Sequence, residues 1–215
     1  MYEVIPAILE KDWNAIERKL NLVKSFAKTV HIDVIDGVFA QNKTLLDPQP
    51  FSVFKEDFIL EAHFMVDEPV DYLAPFAQAG FKRFLGHIER MSDQAEFVAR
   101  AEELGEVGLA LDGTTSLDKI EVSLNDLDAV LIMTIQAGFS GQSFVAQHLE
   151  KVQKLSDQTP FPIEVDGGIN DITIIQAKNA GARRFIASSF LFGSENPHAQ
   201  YDKLSAACNL TSAQA

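Results

Sequence analysis

Eight short runs of aliphatic, aromatic and β-branched residues alternate with helical segments along this chain, and few folds accept that rhythm. The runs occupy residues 4–8, 29–34, 58–64, 83–87, 107–111, 129–133, 162–165 and 184–187. Between them Trp13, Ile16, Leu20 and Val23 recur at helical spacing, as do Phe97, Ala101 and Leu104. Ser92 and Asn170 stand where helix N-caps are expected. Gly80, Gly105 and Gly181 each fall just before a run, where a left-handed glycine would close a helix. Strands alternating with helices predict a parallel sheet. Eight units in 215 residues average about 27 residues each, near the lower end for a single closed (β/α)8 TIM barrel. The structural rival, an open doubly wound sheet, calls for a glycine-rich fingerprint after the first strand, where Pro6, Ala7 and Ile8 stand instead. No linker or low-complexity tract divides the chain, so one domain over residues 1–215 is expected, with the polar tail 209–215 fraying.

In such a barrel the chemistry gathers where strands end at the C-terminal face. His31 and Asp33 lie two apart near the end of the second strand and therefore share a face. The third strand ends in His63-Phe64-Met65, the fourth ends at His87, and the seventh leads into Asp166-Gly167-Gly168. Taken singly, each of these is a hydrogen-bonded rim residue. Together His31, Asp33, His63 and Asp166 make a nitrogen/oxygen ligand set suited to one divalent metal ion: Zn, Fe, Mn or Co. Glycine-bearing loops follow the late strands, at Gly138-Phe139-Ser140-Gly141 and Gly167-Gly168, and Ser188-Ser189 follows the eighth. Backbone can approach a ligand closely there, and such loops suit a phosphate. Asp36, three residues past Asp33, reads as a structural turn residue.

The charge balance narrows the ligand class. Lys plus Arg number 18 against 31 Asp plus Glu, and 18 − 31 = −13. That argues against nucleic acid or an anionic membrane as partner, while leaving room for a small phosphorylated substrate. Cys208 is the only cysteine, so an internal disulfide is excluded and a reducing compartment fits. The first residues lack a basic-then-apolar leader pattern and no run approaches a membrane span, so a cytoplasmic protein is expected.

The segments IPAIL at 5–9, HIDVIDG at 31–37, AHFMV at 62–66, GHIE at 86–89, LIMTIQAGFSGQSF at 131–144, VDGGIN at 165–170 and ASSFLF at 187–192 resemble, in order and spacing, the ribulose-phosphate 3-epimerase family from about residue 4 to 193. The resemblance implies a TIM barrel of the ribulose-phosphate-binding type and an isomerase of carbohydrate metabolism, in the pentose phosphate pathway. Its substrate would be a ketose phosphate, D-ribulose 5-phosphate interconverting with D-xylulose 5-phosphate through a cis-enediolate. It implies a metal held by His31, Asp33, His63 and Asp166, with Asp33 and Asp166 also serving as paired acid and base on opposite faces of C3. It places Met65, His87 and Met133 near the reacting centre, although the methionines fit ordinary core filling equally well. It places Ala7, His63, Gly138, Phe139, Ser140, Gly141, Gly167, Gly168, Ser188 and Ser189 around the substrate and its phosphate, and it implies a homo-oligomer.

The chain departs from the family pattern at several of these positions. Ala7 stands for a serine, Ile35 for a methionine, Gln136-Ala137 for Asn-Pro and Ser188-Ser189 for Gly-Ser, and the loop 38–41 reads differently. Two alternatives therefore stay open: an epimerase acting on another ketose phosphate such as allulose 6-phosphate, and a sugar-phosphate-binding barrel without turnover. The related orotidine-monophosphate decarboxylase group uses Asp-x-Lys-x-x-Asp, whereas Ile35 stands where the lysine should be.

Overall fold

The computed structural model describes residues 1–139 and 141–209. Eight parallel strands, β1 (Glu3–Ile8), β2 (Thr29–Ile35), β3 (Ile59–Met65), β4 (Phe81–His87), β5 (Glu106–Leu111), β6 (Ala129–Met133), β7 (Ile163–Asp166) and β8 (Arg184–Ala187), follow one another round a closed barrel. Closure comes from β8 lying against β1, with Glu3 opposite Arg184 and Ile5 opposite Ile186. The helices α1 (Trp13–Val23), α2 (Val70–Gln78), α3 (Gln94–Glu102), α4 (Leu149–Ser156), α5 (Thr173–Asn179), α6 (Ser189–Phe192) and α7 (Pro197–Asn209) alternate with them. Two connections carry 3-10 helices instead, Gln49–Phe54 between β2 and β3, and Leu117–Lys119 with Leu124–Asp126 between β5 and β6. All eight expected strands form, with ends displaced by no more than two residues.

Local chemistry explains the elements. Asp12 caps α1 by accepting from the Ala15 N–H at 3.1 Å, and Ile16, Leu20 and Val23 turn inward as their spacing requires. At α3 the cap is Asp93, which accepts from Glu96 N at 2.9 Å. Ser92, the expected cap, instead binds Glu68 through its N–H and hydroxyl. Asn170 lies two residues ahead of Ile172, the N-cap residue of α5, and its side chain accepts from the N–H groups of Ile172 and Thr173 in the turn that leads into the helix. Gly80 and Gly181 adopt the expected left-handed conformation at φ +104° and +105°. Gly105 does not: it lies so close to the Lys82 carbonyl that a side chain would collide with backbone.

Two cores result from the alternation of side chains along the strands. The outward faces and the helices bury one apolar layer, including Phe64, Phe76, Phe81, Phe97 and Phe185. The inward faces carry a smaller apolar band, with Ile5, Leu85, Leu131 and Ile186. Below that band the inward positions at the strand starts are charged. Arg83 meets Glu106 at 3.0 Å and Glu3 and Glu61 at 3.5 Å, while Arg184 meets Glu164 at 2.7 Å and Glu106 at 2.9 Å. Above the band, toward the strand ends, lie the histidines and aspartates.

Candidate active site

The register of β2 against β3 sets Asp33 opposite His63 and His31 opposite Glu61. His31 Nε2 lies 3.3 Å from Asp33 Oδ1, and His63 Nδ1 lies 2.9 Å from the same oxygen and 3.8 Å from Asp166 Oδ2. Each of the four expected ligands thus offers one atom within 4.8 Å of the others. The Nε2 atoms of both histidines are buried without a hydrogen-bond partner, an expensive state that a bound cation at His31 Nε2 would relieve. A buried nitrogen/oxygen set with an orphaned imidazole nitrogen is one that can hold a divalent transition metal.

Environment separates the two aspartates. Burial raises a carboxyl's affinity for its proton, and at Asp33 the hydrogen bonds and positive field of His31 and His63 overturn that effect and hold it well below the usual range. Asp166 has no such donors. Burial, with the negative charge of Asp33 adding to it, pushes it up to about 7. The histidines divide likewise. Burial opposes charge on His31, but Asp33 and Glu61 outweigh it and raise the imidazole well above its ordinary value. His63 is lowered to about 4 by burial, with the charges of His31 and His87 adding to it against the Asp33 bond. One carboxyl held ionised and another poised to gain or lose its proton near neutral pH, side by side, is the condition for acid and base chemistry at one centre.

Two threonines set the backbones that carry these carboxyls. The Thr44 hydroxyl donates to the Asp33 carbonyl at 2.8 Å and accepts from Ile35 N. The Thr134 hydroxyl donates to the Asp166 and Gly167 carbonyls at 3.0 and 2.6 Å. Asp36 is the turn residue expected: its carboxylate accepts from Val38, Phe39 and Asp67 N–H groups, tying the loop after β2 to the loop after β3.

Above the aspartates, at the strand ends, opens a small cleft. Its wall contains Ala7, Met65, Met133, Gly138, Phe139, Gly141, Gly167, Gly168, Ser188 and Ser189, together with Asp33 and Asp166. Ser140 lies outside the described residues. His31 and His63 sit beneath this wall, fully buried. His87 also lies behind it, stacked on His63 at 5.0 Å, with Phe39 at 4.7 Å on its other side and Glu89 at 2.8 Å from Nδ1. Leu9, Ile135, Ile169 and Ile186 complete the apolar lining. No lysine or arginine is among the lining residues, so an anion there would rest on N–H and hydroxyl groups. Gly168 shows why glycine is required: φ is +67°, and a Cβ would lie 2.9 Å from Phe144 N.

Glu61, Thr44 and Thr134 were not expected from the sequence. Glu61 could have been found by strand parity, since it precedes His63 by two residues on β3. The threonines carry no comparable signal, because their partners are backbone carbonyls on other elements.

Comparison with known proteins agrees with the geometry. Residues 3–192 match the model of the ribulose-phosphate 3 epimerase family. Ribulose-phosphate 3-epimerase of Bacillus subtilis is 34% identical over 203 residues, covering 90% of this chain and 93% of that protein. The enzyme of the same name from Schizosaccharomyces pombe is 33% identical over 202 residues, covering 91% and 89%. Among solved structures, 3-keto-L-gulonate-6-phosphate decarboxylase from Vibrio cholerae superposes with a TM-score of 0.73 at 15% identity, covering 97% of this chain and 98% of that one. Orotidine 5'-phosphate decarboxylase from Pyrococcus horikoshii gives 0.66 at 13% identity, covering 97% of this chain and 100% of its own. These two likenesses establish the barrel alone. The family match and the curated relatives go further: the chain belongs to the ribulose-phosphate 3-epimerase family and is an isomerase, an epimerase by class.

Proposed function

We propose that the protein interconverts D-ribulose 5-phosphate and D-xylulose 5-phosphate by moving a proton at C3 between Asp33 and Asp166. The observation that carries this reading is that Asp33 and Asp166 share one wall of the cleft, in surroundings that push their proton affinities in opposite directions. The C2 carbonyl acidifies the C3 proton. The carboxylate of the pair takes that proton, leaving a cis-enediolate, and the protonated partner delivers one to the opposite face, so the two exchange states over a turnover. A divalent ion, when bound by His31, Asp33, His63 and Asp166, would supply positive charge against the negative charge that develops. Zn, Fe, Mn and Co all suit that donor set.

Met65 and Met133 wall the reacting carbons. The phosphate rests on the backbone of Gly138, Phe139, Gly141, Gly167 and Gly168 and on the Ser188 and Ser189 hydroxyls. The small phosphorylated ketose is the partner supported by the cavity. No helix among the described residues is long and apolar enough to cross a membrane. A single-domain, homo-oligomeric cytoplasmic enzyme of the pentose phosphate pathway is the setting this reading implies.

The test follows C3 proton exchange with deuterated solvent on D-ribulose 5-phosphate and on allulose 6-phosphate. Exchange with the five-carbon sugar by the metal-loaded protein, abolished by Asp33→Asn and by Asp166→Asn, is expected. Metal-loaded protein that exchanges no C3 proton on either sugar would sink the catalytic reading, and exchange confined to the six-carbon sugar would reassign the substrate.

A further inference from the structure

His31 and His63 are both buried and both adjoin Asp33, yet they present different nitrogens to it. His63 approaches Asp33 through Nδ1, and His31 approaches through Nε2. An imidazole can turn either nitrogen toward a neighbour, so something must select one. For His31 the selector is on the opposite edge of the ring. Its Nδ1 lies 2.6 Å from Glu61 Oε1, and neither side chain is exposed to solvent. Glu61 in turn is held from below by Arg83, whose guanidinium lies 3.5 Å from Oε2 and 3.0 Å from Glu106.

We infer that Glu61 is a positioning residue for the metal site, fixing His31 as the Nδ1–H tautomer so that only Nε2 is offered to a cation. This rests on reading His31, Asp33, His63 and Asp166 as a metal site. A carboxylate accepts hydrogen bonds and donates none, so a bond this short commits the proton to Nδ1 and the ring's lone pair to Nε2. It also prevents the ring from flipping, because the alternative would place a lone pair against a carboxylate oxygen inside a dry barrel. Metal-ligating histidines generally need such a partner, and removing it costs affinity without touching a ligand.

Glu61 has a second geometric possibility, since His31, Glu61 and Glu164 also bring ligand atoms within 4.8 Å of one another. That cluster is not a second cation site. Arg83 lies beside Glu61 and Arg184 donates to Glu164 at 2.7 Å, so guanidinium groups already supply the positive charge there. Glu61 therefore turns one oxygen to the arginine layer and the other to His31, linking the two.

The experiment loads wild-type protein and Glu61→Gln with zinc. Zinc affinity is measured by chelator competition, and long-range 1H–15N correlation of labelled histidines reads which ring nitrogen carries the proton. Wild type should show His31 protonated at Nδ1 with the metal on Nε2, and Glu61→Gln should bind zinc ~10–100-fold more weakly. A Glu61→Gln protein that binds zinc as tightly as wild type would overturn the inference, even if its melting temperature fell. So would a wild-type spectrum with the metal on Nδ1 of His31, which decides the matter should the variant fail to fold. Wild-type protein that takes up no zinc would instead remove the metal reading beneath the inference, an outcome distinct from equal binding by the two proteins.

Discussion

Replacing Asp166 by asparagine should separate stability from chemistry, because the structure makes this residue costly to keep. Burial, with the Asp33 charge adding to it, moves its titration from an ordinary 3.8 up to about 7. The sign follows from linkage. In the unfolded chain the group loses its proton near pH 4, whereas the native protein retains the proton until about pH 7, so native stability falls as pH rises across that window. Three pH units at about 1.4 kcal/mol each give a ceiling of roughly 4 kcal/mol at pH 7. Asparagine has the shape of the protonated acid and does not titrate. Metal-free Asp166→Asn should therefore be more stable than wild type at pH 7, by up to that amount, with an advantage that shrinks toward zero near pH 4. Urea denaturation of chelator-treated proteins at pH 4.5, 5.5 and 7 measures the difference, and C3 exchange on the same samples should show activity lost. A variant less stable than wild type at pH 7, or a gain that does not grow with pH, would refute the claim that burial and Asp33 hold this carboxyl protonated.

Two further outcomes follow from the same geometry. Glu164 is raised to about 8 by burial, with the Glu61 charge adding to it, so it too weakens the native state as pH climbs from about 4.5 toward 8. Glu164→Gln, which keeps an oxygen for Arg184, should flatten that fall by about 1.4 kcal/mol per pH unit at most, as read from denaturation midpoints at pH 5 and 8. Gly168→Ala should cost about 1–2 kcal/mol of stability from its left-handed backbone alone. By pushing Phe144 away from the cavity rim, it should also raise KM for the sugar phosphate several-fold, and a lower Tm with KM unchanged would remove Gly168 from the phosphate end.

What could be read in the sequence was whatever depends on neighbours along the chain. Strand and helix periodicities, the shared face of His31 and Asp33, the turn role of Asp36 and the place of Asn170 ahead of α5 all involve residues within a few positions of one another. Strand ends were displaced because the ladder is set by the partner strand: β7 extends to Asp166 through its register with Met133 and Ile186, which its own composition does not reveal. Gly105 was assigned the wrong constraint for a similar reason, since the group it must avoid is the Lys82 carbonyl on β4. The arginine–glutamate layer was invisible because Arg184 meets Glu3 and Glu106 only after the barrel closes.

That layer also bears on why the site is built as it is. The buried members of that layer, Glu61 and Glu164 with Arg83 and Arg184, are a poor source of stability, since desolvating each ion costs several kcal/mol and well-packed apolar residues would serve as well or better. Stability has an ample source elsewhere, in the aromatic and aliphatic shell between strands and helices. What an apolar floor could not supply is a fixed negative oxygen 2.6 Å beneath His31. A lone Glu61 at that depth would be protonated by burial. The hydrogen bond and charge of His31 first, and then the charges of Arg83 and Arg184, overturn that effect, so Glu61 titrates below its ordinary value despite being fully buried. The strand starts and the strand ends are thus one electrostatic system: His31 and the arginines favour the ionised Glu61, Glu61 and Asp33 favour a second proton on His31 until a cation takes its place at Nε2, and the hydrogen bonds of His31 and His63 favour the ionised Asp33. Asp166, at the far side with no donor of its own beyond a backbone N–H, is the member left to carry the proton.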